Sequence, residues 1–224
     1  MAQEGKNEVL FLVRDRLYLY DGSAILTLEF PSNVVRDIDV KDRDGLFNLV
    51  TTFIQNNKLV PAQLFFVLSE SVCFSKDITT AGPADAAKTD TETKEFIDTI
   101  PFSSVVSKVY KTANVLRVVG SNQDLIDTIF SAFEGKGFGV SALIPANIFP
   151  DFGVATDLTA DKAQRVLDKR EMAVAASMVG ERMVKEQTLA TSQTAVPKNK
   201  LLPYLIIIFA VLIISLIVLV VLRK

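Results

Sequence analysis

One stretch near the end of the chain constrains it more than any other. Residues 201–222, LLPYLIIIFAVLIISLIVLVVL, hold 22 residues without a charge, and their only polar side chains are the hydroxyls of Tyr204 and Ser215. As a helix rising about 1.5 Å per residue the run reaches about 33 Å, against a hydrocarbon core of about 30 Å. A helix buried in a soluble domain keeps a polar stripe, and this one has none. Leu201 to Leu222 therefore reads as a transmembrane helix in a lipid bilayer; the alternative is an apolar helix buried in an oligomer. Pro203 falls in the first turn, where its missing N–H costs nothing, and Tyr204 suits the headgroup interface. Lys198 and Lys200 flank the span on one side, and Arg223 and Lys224 reach the headgroups on the other.

The opening, MAQEGKNEVLFLVRDR, lacks the signal-peptide pattern, because its apolar run is short and is broken at Arg14. Lys and Arg stand on both sides of the span and do not set its orientation. The absent signal does. The expectation is a tail-anchored, single-pass protein of the cytoplasmic membrane with its N-terminal domain in the cytoplasm. The soluble part, about 200 residues, is one ordinary domain plus a linker, or two small domains. The chain carries 24 basic and 26 acidic residues, which argues against a nucleic-acid surface. Its single cysteine, Cys73, leaves no intramolecular disulfide and fits a reducing compartment. With no histidine, His-based metal sites and His acid–base catalysis are excluded.

Along the chain, residues 8–13, 17–20 and 24–30 read as three strands of an antiparallel meander, with 33–40 as a fourth. An amphipathic helix follows from about Asp44, its apolar face formed by Leu46, Leu49, Val50, Phe53 and Ile54. Asp42 or Asp44 caps its start, and Asn56–Asn57 mark its end. The continuous run Leu64–Leu68 suits a strand buried on both faces, and Val72–Ile78 returns with alternation. Residues 79–94, rich in Thr, Ala and Asp, read as a mobile loop, either a docking loop or a tolerated insertion. A short helical piece at 95–99, strands at 105–110 and 115–119, and a helix opened by a capping box at Ser121 and Asp124 follow. Gly135 and Gly137 close that helix, and 138–144 is the next strand. The strand–helix–strand at 115–144 reads as one α/β unit. Residues 157–190 read as a long juxtamembrane helix that either packs back on the domain or pairs with a partner helix, and 191–200 as a polar linker.

No pattern here points to catalysis. Gly135, Gly137 and Gly139 follow a helix and open a strand, the reverse of a phosphate loop. Asp37, Asp39, Asp42 and Asp44 are interleaved with Lys41 and Arg43, which argues against a cation cage. Ser69, Ser71, Ser103 and Ser104 have no histidine to activate them, and Cys73 reads as a buried, inert thiol. No enzyme activity, cofactor or metal is expected.

The order of motifs over residues 8–150 resembles the actin-like platform protein of type IV pilus assembly, the PilM family, and its type II secretion relative, GspL. The matching pieces are LFFVLSESVCFSKDI as a hairpin, Ile100–Pro101–Phe102 before the next strand, VLRVVGS, QDLIDTIFSAF and GFGVSALIP. Where that family opens with a glycine-bearing phosphate loop, this chain has Leu12 to Leu17 with no glycine, and the family's second half is missing. The resemblance therefore implies an α/β (α+β) domain like half of an actin-like fold, at 1–150, but carries over no nucleotide-binding residue. It implies a scaffold or adaptor that binds pilus or secretion platform membrane proteins, with Ile100, Pro101 and Phe102 as interface residues. A homodimer through 157–190 or the span is compatible with it. Two alternatives stand beside it: a nucleotide-binding actin-like switch, which calorimetric titration would reveal, and a tail-anchored regulator unrelated to pili.

Overall fold

In the computed structural model of the chain, residues 6–79, 86–112, 114–149, 152 and 156–178 are described. The elements in chain order are β1 (Asn7–Val13), β2 (Arg16–Tyr20), β3 (Ile25–Glu29), β4 (Val35–Arg36), β5 (Asp39–Val40), α1 (Arg43–Asn56), β6 (Gln63–Leu68), β7 (Phe74–Thr79) and α2 (Ala86–Thr99). Then come β8 (Val105–Thr112), β9 (Val115–Asn122), α3 (Gln123–Glu134), β10 (Gly139–Pro145), α4 (Ala160–Asp168) and α5 (Arg170–Ala175).

The most apolar strands meet in a five-stranded sheet of order β10-β6-β1-β2-β3. β1, β2 and β3 form the expected antiparallel meander, while β6 lies parallel between β1 and β10. Both faces of this sheet are covered, which is why β1 and β6 are continuous apolar runs without alternation. Leu10, Leu12, Leu64 and Phe66 face one way and pack with Val50 and Phe53 of α1 and with Ile129 and Phe130 of α3. Phe66 meets Phe130 edge-on, with ring centroids 5.1 Å apart. Val9, Phe11, Phe65 and Val67 face the other way and pack with Ala163 and Val166 of α4 and Ala173 of α5. The helical segment after residue 157 therefore packs back on the domain, one of the two outcomes its sequence allowed.

A second, three-stranded antiparallel sheet has the order β7-β9-β8. Its outer strands β7 and β8 are largely half-buried or exposed, its central strand β9 is buried from Val118 to Asn122, and α2 lies against β7. The mixed α/β class is as the sequence implied.

The structure differs from the expectations at six places. LFFVLSESVCFSKDI is not a hairpin: β6 belongs to the first sheet and β7 to the second, with a single 3₁₀ turn, Glu70–Val72, at the crossing. β9 and β10, expected in one α/β unit, also lie in different sheets. Residues 33–40 are a tight two-strand hairpin, β4–β5, with Asp37 and Ile38 at φ +51° and +60° in its turn. The expected mobile loop at 79–94 is helical from Ala86, where Ala, Lys and Glu favour a helix and Lys88 reaches Glu92 one turn on at 3.8 Å. The expected long helix at 157–190 is two short helices, α4 and α5, parted at Lys169 (φ −101°, ψ 25°) so that both lay small apolar residues on the sheet. Residues 179–190 of that expectation lie outside the described residues. Finally, α3 is capped by Asn122 and not by Ser121: the Asn122 side chain accepts from the Asp124 N–H at 2.9 Å, while Ser121 is still in β9.

Candidate interaction cleft

Four turns and loop segments converge where the two sheets adjoin. The β1–β2 turn contributes Arg14, and the β4–β5 hairpin contributes Arg36 to Asp39 and Lys41. The 3₁₀ turn and the start of β7 add Glu70, Ser71, Cys73 and Phe74, and the segment before β8 adds Pro101 and Phe102. Together they line a cleft of about 560 Å³.

Each wall is fixed by its own local chemistry. The backbone N–H of Arg14 donates to Ser71 Oγ at 3.2 Å, and the Ser69 and Ser71 hydroxyls lie 2.7 Å apart. Phe74 and Phe102 meet edge-on, with centroids 5.9 Å apart, and form the apolar wall. Ile100 is buried, and a Cβ at Gly120 would stand 2.6 Å from its Cδ1. Pro101 is exposed, and Phe102 is half-buried. Of the three residues expected at an interface, the first is a core anchor and the other two face the cleft. On the charged side, Asp37 pairs with Arg14 at 3.7 Å and Asp39 with Lys41. Arg36 and Glu70 form no ion pair among the described residues, so the cleft presents one cation and one anion beside its aromatic wall.

Ile38 lines the cleft in a conformation that β-branched residues rarely adopt, at a cost of about 1–3 kcal/mol. Burial of its side chain and a 2.9 Å hydrogen bond from Asn122 Nδ2 to its carbonyl hold it there. Burial also pushes the Cys73 thiol up to about 12, with Glu70 adding to the effect, which keeps it protonated and a poor nucleophile.

The remaining residues singled out in the sequence have structural occupations. Asp42 caps α1, its Oδ1 accepting from the Gly45 N–H at 2.8 Å. Gly135 ends α3, Gly137 follows at φ +88°, and Gly139 opens β10. In the β1–β2 turn, Asp15 binds Arg16 at 2.8 Å and its carbonyl accepts from the Phe30 N–H, so the turn's polar groups are engaged within the sheet. Among the described residues there is no group of three metal-ligating side chains and no helix long and apolar enough to cross a membrane. Leu201, Pro203, Tyr204 and Leu222 of the expected span, and its flanking Lys198, Lys200, Arg223 and Lys224, lie outside the described residues.

The sequence pointed to one wall of this cleft and missed the others. Arg14, Arg36 and Glu70 are far apart in the chain and have no periodicity of their own. The one local signal was the density of Asp around 37–44, which marks the tight β4–β5 hairpin and the α1 cap.

No protein-family profile matches the chain, and no curated protein does. Among solved structures it is similar to the PilM-PilN type IV pilus biogenesis complex, at 14% identity over 65% of this chain and 48% of that one, with a TM-score of 0.44. It is also similar to the cytoplasmic domain of EpsL, an inner membrane component of the type II secretion system of Vibrio cholerae. There the identity is 11% over 62% of this chain and 57% of that one, with a TM-score of 0.41. The chain thus spans about half the length of the solved structures it matches. At these identities and TM-scores neither likeness assigns this chain a role, and no residue role is taken from either.

Proposed function

We propose that this protein is a membrane-anchored scaffold or adaptor of a type IV pilus or type II secretion-like assembly platform, built on half of an actin-like fold. In this reading residues 201–222 span the cytoplasmic membrane, the α/β domain lies in the cytoplasm, and the domain performs no catalysis. The cleft carries the proposal. An aromatic wall at Phe74 and Phe102 beside Arg36 and Glu70, neither in an ion pair among the described residues, suits an extended segment of a partner protein, one apolar side chain seated between charged flanks. The order of sequence motifs names the assembly, and the uncharged run from Leu201 supplies the anchor.

The test is affinity purification of the full chain from membranes. Recovery of pilus or secretion-apparatus proteins with the wild type, and their loss with Arg36→Glu or Phe102→Ala, supports the reading. Recovery unaffected by either substitution removes the cleft from it. Release of the intact chain by alkaline carbonate removes the anchor.

A further inference from the structure

Three consecutive residues that do not line the cleft each hold one of its walls. Ser121 Oγ donates to the Val72 carbonyl at 2.7 Å, inside the wall that runs from Glu70 to Phe74. Asn122 Nδ2 donates to the Ile38 carbonyl at 2.9 Å, inside the wall that runs from Arg36 to Lys41. The Gln123 backbone N–H donates to the Ser104 carbonyl at 3.0 Å, and its Oε1 accepts from Ser104 Oγ at 2.8 Å, next to the wall at Pro101 and Phe102. All three stand at the junction of β9 with α3, and the first two are buried. Asn122 spends both ends of its amide, because its Oδ1 also caps α3.

We infer that Ser121, Asn122 and Gln123 are positioning residues that set the width of the cleft, with Asn122 as the central member. Apart from the Phe74–Phe102 contact and the Arg14–Ser71 hydrogen bond, the segments come from separate parts of the chain. The junction joins them to one rigid point, the end of a strand that carries straight into a helix. Asn122 has the largest share because the wall it holds is the strained one: without its donor, the Ile38 carbonyl loses a partner at the residue whose backbone most favours another conformation. This inference rests on the cleft being the functional site, but its test does not need a partner.

The chain's only cysteine lies in the cleft wall and supplies the probe. Cys73 is half-buried, so its rate of alkylation by iodoacetamide in the full-length protein reads how accessible the wall leaves its thiol, and that rate rises as the wall loosens. Asn122→Asp keeps the acceptor that caps α3 and removes the donor to Ile38. It is expected to speed alkylation about tenfold, the shift in opening that losing one buried hydrogen bond of about 1.4 kcal/mol produces. Ser121→Ala is expected to act in the same direction, while Ser121→Thr, which keeps the hydroxyl, retains the wild-type rate. Asn57→Ala removes a 2.9 Å bond to the Phe53 carbonyl at the far end of α1 and serves as the control. Wild-type alkylation of Asn122→Asp, or equal acceleration by Asn57→Ala, overturns the inference. If Asn122→Asp does not fold, Gln123→Ala, which removes a half-buried side chain that accepts from Ser104 and donates to Asp127, decides in the same way. Faster alkylation with no partner recovered from membranes would defeat the scaffold reading alone. An unchanged rate with partner recovery intact would defeat the positioning role alone.

Discussion

The five-stranded and three-stranded sheets use strands of comparable length under opposite rules. In the first, Val9, Leu10, Phe11 and Leu12 are all fully buried, because helices cover both faces. In the second, β8 has one buried residue, Val106, and is otherwise half-buried or exposed, and a charged pair lies across the face, with Arg117 donating to both Asp77 oxygens at 2.7 Å. The central strands of the first sheet are closed over by side chains on both faces. The second leaves one end open to its neighbour, and the cleft forms there, from the segments that enter and leave it. Continuous burial is concentrated in one sheet, and the cleft lies beside the other.

That division can be broken by measurement. The largest loss is expected from Phe66→Ala, about 3–5 kcal/mol in chemical denaturation, since a ring packed edge-on to Phe130 leaves a cavity between sheet and helix. Val118→Ala, at a position equally buried in the second sheet, is expected to cost less, about 1.5–3 kcal/mol. If the two costs are equal, the sheets do not differ as described. Gly120→Ala comes next, at about 1–3 kcal/mol, because the new Cβ displaces Ile100. It should also move Phe102 and weaken whatever the cleft holds, which a fluorinated phenylalanine would show by NMR.

Glu8 gives a smaller shift of opposite sign. Its side chain is 1% exposed on the first sheet, and burial holds its carboxyl above the ordinary 4.5 despite Lys6 at 2.7 Å. An acid whose folded value is raised costs stability once pH passes that value, and costs nothing below the unfolded one. Glu8→Gln is therefore expected to raise the melting temperature at neutral pH and to leave it unchanged below about pH 4. The smallest effect belongs to Arg117→Ala. Arg117 holds the exposed Asp77 carboxyl below its ordinary value, so the pair contributes above the unfolded value and loses that contribution as pH falls through the folded one. Exposure and salt keep the change slight, and it should vanish in high salt.

Much of the first sheet was legible because its physics is local. A strand buried on both faces must be apolar throughout, and Leu64–Leu68 says so directly. The caps at Asp42 and Asn57 and the glycine stop at Gly135 were legible for the same reason. Sheet membership was not. β6 and β7 are joined by a single turn, and nothing in Ser69–Glu70–Ser71 states that the chain is changing sheets rather than doubling back. α2 was missed because composition alone gave it too little apolar surface, whereas docking against β7 supplies what the residues lack. The cleft was legible only at Pro101–Phe102, since its charged walls become neighbours through tertiary folding and leave no spacing to read.

Beyond α5 the chain is fastened before it leaves the described region. The Met178 N–H donates to the Leu143 carbonyl at 2.7 Å, and Ser177 Oγ accepts from the Leu143 N–H at 3.0 Å, both along the outer edge of β10. From the opposite side Lys108 Nζ reaches the Ser177 carbonyl at 2.7 Å, and the Tyr110 hydroxyl reaches that of Ala176 at 3.0 Å. Tension applied to the chain past Met178 is thus shared at once by β10 in one sheet and β8 in the other. The domain takes that load as a single block, and neither sheet has to bear it by being peeled strand by strand.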